Sequence, residues 1–307
     1  MLNPFTKRIL FSFLVILGIS AITFGLMHLA GDPAVLLSSH DATPDEIQAF
    51  RVANGFDRPI VVQYFDWLWH AAHGDLGVSF RSKRSALVTV LEALPRTLLL
   101  IGCALAISTF VGVLVGSLAA VFRGSIFDRC VIIGSVLIQS LPTFWLGIVM
   151  LLIFSATLRW LPTSGFRSPI YLVLPSLTLA AFQIGTFARI ARSSMLEVLD
   201  SDFVRTARAK GASSYSVIFG HAFPNAALPI ITVIGLQLGG LYGGAIITET
   251  VFGWPGVNTV ALSAISSRDM PVIQAYVIVV GLLVVLTNLV IDAIYGMLDP
   301  RAKLGVH

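Results

Sequence analysis

Six long stretches without Asp, Glu, Lys or Arg constrain this chain more than any other feature of its sequence. Each has at least 21 residues, and about 20 apolar residues suffice for an α-helix to cross a bilayer core. The stretches are 9–31, 97–122, 130–158, 168–188, 222–248 and 270–291. Backbone groups in lipid must form hydrogen bonds within their own segment, and the sequence lacks the alternation typical of a β-barrel. We therefore predict an all-α membrane protein with six transmembrane helices.

The composition supports this class and excludes two others. Hydrophobic residues make up 56% of the chain, charged residues 12%, and the mean hydropathy is +0.88. Soluble domains are about a quarter charged, and disordered chains are poor in apolar residues, so neither class fits. In a membrane protein, a net charge of +4 usually reflects Lys and Arg in cytoplasmic loops and does not indicate nucleic-acid binding. Cys103 and Cys130 lie in or at apolar stretches, which predicts small buried side chains rather than a disulfide or a metal site.

The distribution of Lys and Arg predicts the orientation in the membrane. If the amino terminus is cytoplasmic, the short outer turns hold only Arg159, Arg167 and Arg268. The inner segments then hold Lys7, Arg8, Arg123, Arg129, Arg189, Arg192, Arg205, Arg208, Lys210, Arg301 and Lys303. Because short cytoplasmic loops are enriched in these residues, we expect both termini inside the cell. The first stretch lacks the cleavage pattern of a signal peptide, so we expect it to remain as a helix.

The positions of the stretches divide the chain into three segments. We predict a first transmembrane helix at 1–31, an extracytoplasmic loop at 32–96 and a five-helix core at 97–307, which contains a cytoplasmic loop at 189–221. Short helices are expected in the outer loop. Thr43-Pro44-Asp45-Glu46 has the pattern of a helix start and Asn54-Gly55 that of a stop, while Pro95 is expected to end a later helix.

The cytoplasmic loop has a pattern of its own between residues 201 and 224. Ser201 or Asp202 can cap a helix beginning at Phe203, and Gly211 follows it at the usual place of a left-handed residue. Ser213 or Ser214 can cap a second helix that runs to Pro224. This shape can dock into a groove on a cytoplasmic partner. The alternative is a simple connection whose basic face is solvated or lies on anionic lipid.

This segment resembles the signature cytoplasmic loop of ABC importer permeases, a Glu-Ala-Ala…Gly…Ile…Pro pattern. Arg205 and Thr206 stand where the pattern has Glu and its first Ala. The matching positions are Ala207, Gly211, Ile218 and Pro224. Arg-Thr-Ala-Arg-Ala-Lys-Gly, at 205–211, is itself similar to the variant found in the peptide/nickel permease family.

Short motifs along nearly the whole chain extend the resemblance to the B-type permease of dipeptide, oligopeptide, glutathione and nickel importers. The motifs are Gly31-Asp32-Pro33, Gly74-Asp75-Leu76-Gly77, Trp160-Leu161-Pro162, Leu174-Pro175-Ser176, Thr248–Gly256 and Leu298-Asp299-Pro300-Arg301. The resemblance implies a type I importer permease fold in a bacterial inner membrane. It implies peptide as the cargo, with nickel or another metal chelate, glutathione or an opine as alternatives.

The resemblance also implies a set of partners. A homologous permease would complete the pathway, two ATP-binding subunits would drive it, and an extracytoplasmic solute-binding protein would deliver substrate. ATP and Mg²⁺ would be held by the ATP-binding subunits and no cofactor by this chain, which lacks a G-x-x-x-x-G-K-[ST] loop. The residues implied to couple it to the ATPase are Phe203, Arg205, Ala207, Arg208, Lys210 and Gly211.

Glycines and glutamines within the stretches suggest further sites. Small residues four apart allow helices to approach closely, and we expect those of the fifth stretch to contact the partner permease, although packing within this chain is the alternative. These glycines are Gly235, Gly239, Gly240, Gly243 and Gly244. Polar side chains inside the membrane face protein or a water-filled path. Gln237 is the best candidate for the translocation pathway, followed by Gln139 and Gln183, and hydrogen bonds between helices are the alternative.

Two other functions fit the sequence poorly. An intramembrane serine protease needs a base beside its nucleophile, but Ser164 lies in a short outer turn without a neighbouring histidine. A proton-coupled transporter needs carboxylates in mid-membrane, and the six stretches contain none. His28 and His221 are expected at opposite faces of the membrane, so they do not form a metal cluster.

Overall fold

A computed structural model describes residues 4–29, 34–35 and 42–298 of the chain. The α-helices are α1 (Pro4–Leu29), α2 (Pro44–Ala53), α3 (Ile60–Ala72), α4 (Ala86–Val121), α5 (Ile126–Ser140), α6 (Thr143–Met150), α7 (Val173–Leu199), α8 (Asp202–Ala209), α9 (Phe223–Val251), α10 (Val257–Ser266) and α11 (Met270–Leu298). Two π-helical segments occupy Leu151–Thr157 and Ser216–Ala222, and a 3-10 turn occupies Pro169–Leu172. The described residues form no strand beyond one isolated bridge, so the all-α prediction is confirmed. The motifs at 31–33 and 298–301 lie wholly or almost wholly outside these residues.

Four helical segments in the described part are long and apolar enough to cross a membrane. They are Ala86–Val121, Pro169–Leu199, Pro229–Val251 and Met270–Ile291. A fifth crossing is possible if the bent pair of α5 and the helix from Thr143 to Thr157 counts as one span. A multi-pass membrane protein is therefore supported. The sixth crossing, which we assign to the 26-residue α1, stays a prediction.

The stretch at 130–158 is not the single helix that its composition predicts. The chain breaks between α5 and α6 and turns by 102°. Leu141 is extended, with φ −85° and ψ 130°, and Pro142 follows it. Proline lacks an amide hydrogen and disfavours the helical conformation in the residue before it, which explains the break at this position.

Pro95 has the opposite outcome, because α4 continues through it for 36 residues. The prediction that Pro95 ends a helix is therefore wrong. Ala93 on one side and Leu100 and Ile101 on the other are almost completely buried, so packing holds the helix together despite the missing hydrogen bond. Cys130 also departs from expectation: both cysteines are free, but Cys130 is exposed on this chain rather than buried.

The chain divides into two compact units, of which the first comprises 1–95 and 256–286. Its core is formed by Leu76, Ala86, Val90, Ala93, Val257, Ala264, Val272 and Ala275. The buried Asp269 carboxylate accepts a hydrogen bond from Ser79 Oγ at 2.5 Å and from the Phe80 backbone amide at 3.2 Å. In α2, Thr43 and Glu46 form the capping box that the sequence predicts, and the Thr43 amide and hydroxyl hold the pKa of Glu46 below its usual value.

The second unit comprises 96–255 and 287–307. Its core contains Leu100, Ile101, Ala104, Leu179, Ala180, Leu241, Ala245 and Trp254. The buried Trp254 donates its ring N–H to the Arg96 carbonyl at 3.1 Å, and Thr97 Oγ1 donates to the buried Glu249 carboxylate at 2.5 Å. Helices α4 and α7 approach so closely that a side chain at Gly116 would overlap the Ala188 carbonyl. This packing places the inner end of α7 and the loop after it.

Candidate functional site

The helix α8 lies at the centre of the cytoplasmic loop predicted to bind an ATPase. It begins at Asp202, one residue before the predicted start, and ends at Ala209. Neither predicted cap acts as one: Ser201 is in the capping position, but its hydroxyl donates to the Val198 carbonyl at 2.5 Å. That bond ties α8 to the end of α7, since Val198 is in the last turn of α7.

The side chains of α8 divide into an inner anchor and an exposed surface. Val204 is completely buried, which fixes the helix against the protein. Phe203 is 47% exposed although it is a large apolar side chain, and Ala207 is half-buried. The exposed basic residues are Arg205, Arg208 and Lys210. A short helix with an exposed aromatic ring, three cations and a small alanine side chain that lets another backbone approach can contact another protein.

Gly211 ends this helix in the conformation that the sequence predicts. Its φ is +84°, in the left-handed region that glycine adopts without strain. The Gly211 amide donates to the Arg208 carbonyl at 2.9 Å, and the Ala212 amide to the Ala207 carbonyl at 3.1 Å. These bonds satisfy carbonyls at the end of α8 and reverse the chain.

The second helix of the loop does not end at Pro224, and this prediction is wrong. The helical conformation runs without interruption from Ser214 through the π-helical segment into α9, which ends at Val251. Pro224 comes just after the π-helical segment Ser216–Ala222, and local π-helical adjustment is one way in which a membrane helix accommodates a proline. The Ser213 hydroxyl accepts a hydrogen bond from the Ser216 amide at 3.3 Å, as a cap would. The predicted cytoplasmic loop is thus directly continuous with a helix that is long and apolar enough to cross a membrane.

Tyr215 and Phe219 are additional surface residues that the sequence argument missed. Their side chains are 73% and 56% exposed, and their ring centroids are 4.7 Å apart. The spacing of four residues on a helix was the signal that could have identified them. They add an aromatic pair to the loop that also carries Phe203.

The predicted pathway glutamines fall into two different environments. Gln139 donates to Thr186 Oγ1 at 2.9 Å and so joins α5 to α7. Gln183 is only 5% exposed, and its Oε1 has no hydrogen-bond partner among the described residues. A side chain at Gly240 would lie 3.7 Å from Gln237 Oε1 and 3.9 Å from Gln183 Nε2. The structure therefore places the side chains of Gln183 and Gln237 near Gly240, whereas the side chain of Gln139 is hydrogen-bonded to Thr186.

The glycines of α9 also separate into groups. A side chain at Gly235 would meet Ile291 at 3.0 Å, and one at Gly244 would meet Leu179 at 2.9 Å, so both allow close packing within this chain. At Gly239 and Gly243 an added Cβ would have no atom within 4 Å in the described part of the chain. Gly240 lies between the two glutamines. Only Gly239 and Gly243 thus present an open surface.

Two ion pairs between residues far apart in the sequence lie near the loop, and the sequence does not predict them. Arg192 donates to both oxygens of Asp128, from Nε at 2.5 Å and from its terminal nitrogen at 2.8 Å. The Gly124 amide also donates to this carboxylate, at 2.9 Å. A second pair joins Arg123 to Asp200 at 3.1 Å. The partners are 64 and 77 residues apart in sequence, so no local pattern indicates them.

Comparisons with known proteins identify the family of this chain. The family model of the binding-protein-dependent transport system inner membrane component matches residues 112–304, and the model of the corresponding amino-terminal region matches 1–101. A putative peptide transport system permease protein of Brucella abortus is 42% identical over 306 residues, covering 97% of this chain and 98% of the relative.

Two further relatives have similar coverage. The di/tripeptide transport system permease protein of Pseudomonas aeruginosa is 37% identical, covering 93% of this chain and 94% of the relative. The dipeptide transport system permease protein of Escherichia coli K12 is 36% identical, covering 94% of both. With its all-α fold, its membrane-spanning helices and these matches along nearly its whole length, the chain belongs to the family of inner membrane components of binding-protein-dependent transport systems.

Proposed function

We propose that this chain is a permease subunit of an ATP-driven importer of short peptides, with α8 as its contact to the ATP-binding subunits. The observation that carries the proposal is the exposed surface of α8, with Phe203 half-exposed on one face, Arg205 and Arg208 exposed on another, and Gly211 left-handed at its end. Docking would bury the aromatic ring, which supports a protein partner over plain solvent.

In this proposal the remaining parts of the complex are other chains. A homologous permease faces α9 at Gly239 and Gly243, and two ATP-binding subunits hold ATP and Mg²⁺ and grip the cytoplasmic loops. An extracytoplasmic binding protein delivers the substrate to the outer face. Both termini of this chain are cytoplasmic. Gln183 and Gln237 line the pathway, because buried amides inside a membrane face protein or water and the Gln183 carbonyl has no protein partner in the described chain.

The coupling role is tested with two variants of the loop. Ala207→Trp adds bulk to the docking surface, and Gly211→Val forces a β-branched residue into positive φ. We expect both variants to insert in the membrane, to retain little ATPase in a pull-down and to lose at least about 90% of uptake, a loss that corresponds to 1.4 kcal/mol or more.

Ala49→Trp is the matched control for this experiment. Ala49 is exposed on α2, in the predicted extracytoplasmic loop, so the same bulk is added outside α8. It should bind ATPase like the wild type. Normal ATPase binding and uptake in both Ala207→Trp and Gly211→Val would refute the coupling role.

The peptide cargo is a separate part of the proposal and needs a separate test. Its support is that the relatives at 36% to 42% identity are named as peptide, di/tripeptide and dipeptide permeases. Calorimetry on the cognate binding protein should show saturable binding of trialanine. Binding of a nickel chelate or glutathione, with none of trialanine, would contradict peptide as the cargo.

A further inference from the structure

The buried pair of Asp128 and Arg192 connects two helices, α5 and α7, and its members are 64 residues apart in the sequence. Asp128 is in the first turn of α5, and Arg192 is in the inner half of α7, two turns before its end at Leu199. The Asp128 side chain is 4% exposed and that of Arg192 22%. Both carboxylate oxygens accept from the guanidinium, and the Gly124 amide supplies a third hydrogen bond. Such two-point bonding fixes orientation as well as distance.

A second feature is a buried apolar cluster at the same end of α7. Met195, Ala222 and Ala226 are fully buried and pack with Ala120, which joins the inner ends of α4, α7 and α9 in one cluster. From this base, α7 leads through Asp200 and Ser201 directly into α8. Anything that moves α8 therefore acts on the inner end of α7, which holds Arg192.

The first turn of α5 follows α4 after four residues, at 122–125, and Asp128 joins this turn to α7. Arg123 and Asp200 bridge the same two segments at 3.1 Å, but their side chains are 62% and 67% exposed. Water screens an exposed pair, and such pairs contribute little. A buried pair is different, because removing one partner leaves the charge of the other uncompensated inside the protein. The buried pair is thus the stronger of the two ionic links at this end of α5. Farther along, α5 also packs on α7, where a Cβ at Gly185 would lie 2.9 Å from the Ser135 carbonyl and where Gln139 bonds to Thr186.

We propose that the Asp128–Arg192 pair transmits the movement of α8 to α5, so that the two helices move together during transport. The proposal rests on the proposed function, since it needs an ATPase to move α8. Asp128 and Arg192 are positioning residues, because they act through α5 and contact neither ATP nor substrate. Without the pair, the ATPase would still bind and hydrolyse ATP, but α5 would follow α8 poorly.

The test uses the complete purified complex, reconstituted with its binding protein and trialanine. Asp128→Asn removes the charge and keeps the shape, whereas Arg192→Lys keeps the charge and removes the two-point bond. We expect both variants to bind ATPase normally and to transport at least about fivefold less peptide per ATP hydrolysed, the lower end of typical coupling between sites. Uptake is expressed per assembled complex, so a lower yield alone does not reproduce this result.

The matched control is the exposed pair, as Arg123→Gln with Asp200→Asn. Arg123 and Asp200 lie next to the same two helices, and changing them should leave the ratio of peptide to ATP within about twofold of the wild type, since water screens an exposed pair. An effect of the control as large as that of Asp128→Asn would overturn the proposal, because burial would then not be the deciding property.

A distance measurement tests the movement directly. Spin labels at Ile133, which is 59% exposed on α5, and at Ala209, exposed on α8, report the separation of the two helices in a background without Cys103 and Cys130. In the otherwise wild-type complex we expect the same distance with and without trapped ATP. In Asp128→Asn and Arg192→Lys we expect a distance that changes with ATP.

The outcomes of the two experiments separate the proposals. Wild-type distances and wild-type peptide per ATP in both pair variants would overturn the proposed link, while ATPase binding in the same samples leaves the coupling role of α8 intact. Failure of the ATPase to bind the wild-type chain would refute the proposed function itself.

Discussion

The proposed pathway residue Gln183 carries a buried polar atom that the described chain leaves unpaired. Its amide is buried in α7, and its Oε1 has no partner among the described residues, a situation that costs free energy in a folded protein. Gln139 is the contrasting case, because Thr186 accepts its amide hydrogen at 2.9 Å. We interpret Gln183 as held for a substrate or for pathway water, and Gln139 as a link between helices.

We expect Gln183→Leu to lower uptake by about fivefold or more while the subunit unfolds no earlier than the wild type, because an unsatisfied carbonyl is replaced by an apolar group of similar size. Gln139→Leu should show the reverse, losing about 1 kcal/mol of stability with the hydrogen bond to Thr186. Thermal unfolding of the purified subunit and uptake in vesicles measure the two effects. Full uptake in Gln183→Leu would remove Gln183 from the pathway.

Single residues also mark what the sequence can predict. Gly211 and the capping box of Thr43 and Glu46 were predictable, because a left-handed turn and a helix start depend on residues only a few positions apart. The Asp128–Arg192 pair was not, since its members are 64 residues apart and each looks like an ordinary loop charge. Local chemistry is visible in one sequence, but a contact made by folding is not.

At the scale of elements, α9 has two faces that the spacing of its glycines could not separate. Gly244 lies against Leu179 and Gly235 against Ile291, whereas Gly239 and Gly243 have an open surface in the described chain. The rule that small residues allow close approach holds for both faces, but only the folded chain shows which face is already occupied.

We expect Gly239→Leu to leave the isolated subunit intact and to weaken its association with the partner permease. Gly244→Leu should damage the subunit itself, because an added Cβ would already lie 2.9 Å from Leu179. Size-exclusion chromatography of the subunit alone and co-purification of the second permease distinguish the two effects. Normal co-purification with Gly239→Leu would contradict the assignment of this face to the partner.

Two prolines within apolar elements show why element boundaries were only partly predictable. Pro95 lies inside α4, whereas Pro142 accompanies a turn of 102°. Both follow a leucine, so their immediate sequence does not distinguish them. Buried neighbours on both sides support α4, while Leu141 is 37% exposed at the break. Tertiary packing decides between these outcomes.

For the whole molecule, the fold class and the family followed from the sequence, because long charge-free stretches and motifs spread over the chain are properties of the sequence itself. The count of crossings was less certain. The described residues contain four straight candidate crossings and one bent one, and α1 supplies the sixth as a prediction.

The orientation of the whole chain is tested by cysteine labelling in a background without Cys103 and Cys130. Cysteines at Ser82 and Ser213, both exposed, should react from the outside and from the cytoplasm respectively. The expectation follows from the excess of Lys and Arg in the inner segments. An impermeant reagent applied to intact spheroplasts should therefore label only the cysteine at 82. Labelling of the cysteine at 213 instead would reverse the topology.

The turn between Ser140 and Thr143 has a consequence for hydration. A helix end leaves up to four carbonyls or amides without partners in the helix, and here the carboxyl end of α5 meets the amino end of α6 inside an apolar stretch. Hydrocarbon does not accept such groups, so backbone of this kind is tolerated only against protein or beside water. Leu141 and Pro142 are exposed on this chain, and lipid alone cannot surround them. In a bilayer, water or a second protein must therefore lie against the backbone of this bend.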